Sequence, residues 1–165
     1  MTTKPGLRNN QLTNHSNMRE KKLLSPVPYT FTTDITIQIG DINYGGHVGN
    51  ERYLVFAQES RMRFLNTFGY SEINFGPYGL VVAEAGIEYF SELFHGDTIS
   101  ISISIDNISR VAFDCYYKIE TTQGDKTTIA ALVKTNMVCY DYKERKVKSI
   151  PDDVKIRLSA ANHSL

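Results

Sequence analysis

The sequence has no tryptophan, only two cysteines and five prolines in 165 residues, and no excess charge, since 18 basic side chains face 18 acidic ones. A balanced chain has no electrostatic footprint for nucleic acid or an anionic membrane surface, so neither is expected as a partner. No apolar run approaches the roughly 20 residues that a membrane helix needs. Residues 1–19 contain no apolar stretch of the kind found in secretory signals. Two cysteines exclude a disulfide framework, and Cys115 and Cys139 lack zinc-site spacing. Both sit in alternating apolar runs, which reads as buried free thiols and a cytoplasmic protein. The histidines His15, His95 and His163 form no cluster, so no metal and no cofactor are expected.

What is present is one domain's worth of core. Residues 1–28 are polar and end in Pro26 and Pro28, which reads as a disordered leader. From Tyr29 to Ile39 the odd-numbered residues are mostly apolar, the pattern of a strand with one buried face. Continued two steps further, that phase aims Asp41 and Asn43 inward, where polar groups need partners or a cavity. Residues 51–68 carry apolar side chains at helical spacing, with Tyr53, Leu54, Ala57, Phe64, Leu65 and Phe68 on one stripe and Gly69 as the stop. Arg61 falls inside that stripe as an ion-pair residue, Gln58 on its flank and Glu59 opposite. Strands follow at residues 80–89, 99–105, 111–119 and 129–139, the second alternating isoleucine with Ser100, Ser102 and Ser104 on its expected solvent face. Antiparallel strands plus one segregated helix indicate an α+β fold, with a domain at 29–158 and a short tail at 159–165. One helix cannot cover both sheet faces, so self-association is expected.

Between the first strand and the helix lies Asp41-Ile42-Asn43-Tyr44-Gly45-Gly46-His47-Val48-Gly49-Asn50. Three glycines in five residues let backbone N–H groups approach a ligand. Asn50 is a good N-cap, and a helix starting there aims its free N–H groups at the loop. Acid, amide and imidazole beside such donors suit chemistry on a carbonyl.

Gly40, Asp41, Asn43, Gly46, His47, Val48, Asn50, Tyr53 and Leu54, then Glu59 and Arg61 in the helix and Tyr89, Gly96 and Asp97 beyond it, form a pattern. It resembles the hotdog-fold acyl-CoA thioesterases, in the 4-hydroxybenzoyl-CoA thioesterase-like branch. The resemblance covers residues 29–158. It implies an antiparallel sheet wrapped around one long central helix, in homodimers or homotetramers with sites at subunit interfaces. It also implies metal-free hydrolysis of an acyl-CoA, with the thioester carbonyl polarised by a backbone N–H at the helix start, near Asn50. Three positions depart from the family pattern: Asn43 and Gln58 stand where carboxylates are frequent, and Gly49 where an asparagine is. An amide cannot serve as a general base.

The expected catalytic set is therefore Asn43 and His47 to bind and polarise the thioester, with Glu59 or Asp41 to activate water. Gly46, Val48, Gly49, Asn50 and Gln58 are expected to line the substrate. Asp41 has a rival role as a buried acceptor that ties the loop, and His47 as a residue that holds the turn. The two amides also fit a non-hydrolytic protein that binds an acyl-CoA or a lipid-like ligand.

Overall fold

A computed structural model describes residues 21–161. The elements run β1 (Phe31–Thr36), α1 (Arg52–Asn66), β2 (Gly79–Tyr89), β3 (Thr98–Asp106), β4 (Ala112–Gln123), β5 (Lys126–Asp141), β6 (Lys146–Val147) and α2 (Asp152–Ala161). The strands form one sheet in the order β1-β3-β4-β5-β2, with β6 paired to the end of β5. Every pairing is antiparallel. The long helix α1 packs across β1, β3 and β5, the α+β arrangement that the resemblance implies.

The isoleucine alternation of β3 drives this packing. Ile99, Ile101, Ile103 and Ile105 are all fully buried, and so are Phe113, Cys115, Tyr117 and Ile119 on the neighbouring β4. Against them α1 turns Tyr53, Phe56, Ala57, Phe64 and Leu65. Phe64 meets Phe31 of β1 edge to face, with centroids 5.6 Å apart. Both cysteines are buried free thiols. Burial pushes the Cys115 thiol up to about 12 despite the nearby Arg61 cation, so it is no nucleophile.

Three expectations need correction. The buried stripe of α1 is rotated from the expected one: Phe56 and Ser60 are inside, and Leu54 is 38% exposed. The stripe is centred on the side of the helix that faces β3, and Leu54 lies past its margin. The helix also starts later than expected, with Glu51 as the cap residue rather than Asn50 and no side-chain capping bond. At its other end Gly69 adopts φ +77, and the Tyr70 N–H closes the turn on the Leu65 carbonyl at 3.0 Å. Finally, Ser102 and Ser104 are not solvent-facing but buried. The segment at 21–30 lies over that face: Ser104 donates to Ser25 Oγ at 2.6 Å, and Leu23 N–H donates to Glu88 at 2.8 Å. The rest of the expected leader, residues 1–20, and the last four residues of the tail lie outside the described residues. Among the described residues no helix is long and apolar enough to cross a membrane.

Candidate active site

The loop from 38 to 51 is built by short-range hydrogen bonds that its sequence dictates. Residues Ile39–Asp41 make one 3-10 turn. The Asp41 carboxylate is almost fully buried. It accepts the Gln38 N–H at 2.8 Å and the Arg52 Nε at 2.8 Å. This ties the loop to the first turn of α1, with the Asp41 carboxylate accepting from both. Asn43 then opens a tight turn. Gly46 N–H donates to the Asn43 carbonyl at 3.1 Å, Asn43 N–H donates to the His47 carbonyl at 2.9 Å, and Gly46 takes φ +81, a conformation that suits glycine. The Gly45 N–H donates to Asn43 Oδ1 at 2.8 Å. That bond fixes the carboxamide oxygen, and Nδ2 is the side chain's remaining donor.

The imidazole of His47 is fixed in the same way. Its Nδ1 lies 3.2 Å from the Val48 carbonyl, so Nδ1–H is the donor and Nε2 faces outward. Nε2 is 3.8 Å from Glu92 Oε1. Glu92 stands there because the turn after β2 is pinned to the loop: Val48 N–H donates to the Leu93 carbonyl at 2.9 Å, and Leu93 is fully buried. Gly49 N–H donates to the Asp41 carbonyl at 3.0 Å. Among the described residues the Asn50 and Glu51 N–H groups at the head of α1 meet no acceptor. The helix start thus offers unpaired donors and the positive end of its dipole.

These groups border a cavity of about 400 Å³. Its polar margin is formed by Asn43, His47, Asn50, Ser91 and Glu92, and its apolar wall by Val48, Tyr53, Tyr89 and Phe90. Tyr53 and Tyr89 meet edge to face at 5.1 Å, and the Tyr89 hydroxyl donates to the Asn50 carbonyl at 2.8 Å. Burial, reinforced by the Tyr89 and Glu92 charges, pushes the Tyr53 phenol up to about 12. Burial and then Glu51 also raise Tyr89. Both phenols are protonated at neutral pH and wall the cavity, and Tyr89 also donates.

Of the residues singled out in the sequence, the structure brings Asn43, His47, Val48 and Asn50 together at this cavity. Gly46 and Gly49 shape the loop without lining it. Gln58 lies in a separate groove with Leu54, Arg61 and Glu72, donating to Glu72 Oε2 at 3.1 Å. Glu59 is exposed and pairs with Arg63 one helical turn on, at 2.9 Å. In this chain, therefore, neither Gln58 nor Glu59 meets Asn43 or His47, because the helix carries them to its outer side. Phe90, Ser91 and Glu92 were not visible as site residues in the sequence. They lie beyond any periodic run, and the register of β2 on β5, the Phe90 and Ser91 N–H bonds to the Ala130 carbonyl and the Val48–Leu93 bond place them.

The model of the thioesterase-like superfamily matches residues 37–158. A 1,4-dihydroxy-2-naphthoyl-CoA hydrolase from Synechocystis is 25% identical over 137 residues, covering 81% of this chain and 98% of its own length. The crystal structure of a 1,4-dihydroxy-2-naphthoyl-CoA thioesterase from Synechocystis superposes with a TM-score of 0.71 at 23% identity, covering 81% of this chain and 98% of that one. A Staphylococcus aureus protein solved in complex with CoA superposes with a TM-score of 0.72 at 19% identity, covering 85% of this chain and 88% of that one. The superposed structures share the fold, and the family match spans the site loop, the central helix and all the long strands that follow. The chain belongs to the thioesterase-like superfamily.

Proposed function

We propose that this protein hydrolyses an aromatic acyl-CoA thioester, adding water to the thioester carbon and releasing a carboxylic acid and free CoA. The observation that carries this reading is the cavity opening onto the unpaired start of α1. The thioester oxygen becomes an oxyanion in the transition state, and backbone N–H groups at a helix N-terminus stabilise that charge where it develops. Asn43 Nδ2 adds a second donor beside them. The wall of Tyr53, Tyr89 and Phe90 supplies ring faces and edges for a flat acyl group. The relatives named as 1,4-dihydroxy-2-naphthoyl-CoA hydrolases support the same chemistry and an aromatic acyl group. The CoA-bound structural neighbour supports a CoA carrier.

The reading includes association of two or more copies, supported by the place of the long strand β2 at the end of the sheet, and a cytoplasmic location, supported by the two buried thiols that remain unbridged. A thiol-release assay over benzoyl-, naphthoyl- and long-chain acyl-CoAs tests it. The expected result is turnover with kcat/KM highest for the aromatic thioesters, reduced roughly 10- to 1,000-fold in Asn43→Ala by loss of one carbonyl donor. Saturable acyl-CoA binding without thiol release would instead establish a binding protein on this fold.

A further inference from the structure

We propose that His47 and Glu92 are the proton-transfer pair of this hydrolysis, with His47 Nε2 the base and Glu92 the positioning residue beside that atom; the inference rests on the thioesterase reading. Asn43 is an amide and cannot accept a proton at neutral pH. Asp41 is enclosed by Arg52 and the Gln38 N–H, and Glu59 is held by Arg63 on the outer side of α1. The ionisable groups that line the cavity are His47, Glu92, Tyr53 and Tyr89, and the two phenols stay protonated. Among the groups that line the cavity, those left to take a proton from water are His47 and Glu92.

Geometry assigns the roles. The Val48 carbonyl takes the Nδ1 proton of His47, so the neutral ring presents a lone pair at Nε2. That atom lies toward Asn43. A Cβ built on Gly45 would sit 3.0 Å from His47 Nε2 and 3.1 Å from Asn43 Oδ1, so base and carboxamide flank one small space. On the same side Glu92 approaches Nε2 at 3.8 Å, close enough to stabilise an imidazolium. A carboxylate exposed in the free protein gains strength when a bound thioester excludes water.

In the proposed step, the water oxygen bonds to the thioester carbon as one water proton passes to Nε2. The resulting imidazolium is held between the Val48 carbonyl and Glu92. It returns that proton to the CoA sulfur as the carbon–sulfur bond breaks, leaving a carboxylic acid, a thiol and neutral His47. No other reactant is required.

The test compares wild type, His47→Ala, Glu92→Gln and Glu92→Asp on benzoyl-CoA. Binding of a non-hydrolysable benzoyl-CoA thioether is measured alongside. His47→Ala should lower kcat about 100-fold, as expected for a lost general base, with thioether affinity within about threefold, and added imidazole should restore part of kcat. Glu92→Gln should lower kcat roughly tenfold with KM little changed, and Glu92→Asp should recover most of it. Wild-type turnover that is unaffected in both His47→Ala and Glu92→Gln overturns this inference and leaves the thioesterase reading standing. Loss in Glu92→Gln as deep as in His47→Ala, with no imidazole rescue, makes Glu92 the base and overturns the assignment. A wild type that releases no thiol overturns both readings.

Discussion

Gly45 shows how a single missing atom shapes the site. Its neighbour Gly46 needs glycine for conformation, with φ +81, but Gly45 has no such backbone requirement. What Gly45 requires is space, because a methyl there would press on His47 Nε2 at 3.0 Å and His47 Cδ2 at 3.3 Å. Those distances are shorter than ordinary contacts, so the imidazole would have to swing away from Asn43. Gly45→Ala is therefore expected to lower kcat roughly tenfold through misplacement of the imidazole. Its thermal midpoint should move by no more than about 2 °C, because the loop tip is exposed and buries no core. Steady-state kinetics beside a melting curve checks both. At this scale the sequence was partly legible. Asn43 and His47 lie in one short loop whose turn residues announce it. Asp41 shows the opposite case: it is buried, but through the 3-10 turn at Ile39–Asp41 rather than a continued strand, and its partner Arg52 is a helix residue whose reach no spacing rule supplies. Glu92 was invisible, since it owes its place to a backbone bond between Val48 and Leu93.

The central helix is fastened as well as packed. Arg61 is buried at 3% exposure among apolar neighbours. It donates from Nε to Glu72 at 2.8 Å and from Nη1 to the Tyr117 hydroxyl at 2.7 Å. That hydroxyl lies 3.1 Å from Thr135, so one guanidinium joins α1 to the loop before β2, to β4 and to β5. Removing it leaves the buried Tyr117 hydroxyl and part of the Glu72 carboxylate without their cation. Arg61→Ala should destabilise the fold by about 3 kcal/mol, read as a lower urea midpoint with an unchanged slope. Arg61→Met, which retains the packing of the stem, should lose less. The sequence announces Arg61 as an ion-pair residue inside the helical stripe, but not its partner, because residues 70–78 carry turn signals without periodicity. The strands were readable for the converse reason: alternation is local, and β3 and β4 bury the residues it nominates. Two strand readings misled: Ile39, expected on the buried face of the first strand, is 73% exposed in the 3-10 turn beyond it, and an alternating pattern cannot say that the segment at 21–30 crosses the serine face of β3.

For the whole molecule, the sheet ends at β1 and β2, and the two edges differ. β1 spans 6 residues, whereas β2 spans 11, with the run from Val82 to Ala85 exposed and a register irregularity between Val82 and Glu84. A long strand at the end of a sheet is a template for a second copy. Beside it the groove carrying Gln58 is lined by Leu54 and Val82, which are 38% and 48% exposed. An isologous pairing along β2 would cover both the edge and this groove in one two-fold interface. Sedimentation should then find a dimer at micromolar concentration for the wild type. Val82→Lys places a cation in the middle of that interface, at a position the isolated chain leaves half exposed, so it should give a folded monomer with an unchanged far-UV spectrum. Because the resemblance places family sites at subunit interfaces, kcat/KM should fall at least tenfold in that monomer while the melting transition remains cooperative. A Val82→Lys protein that stays dimeric would move the interface to another surface. A monomeric wild type with full thiol release would show that the Asn43–His47 cavity is complete within a single chain.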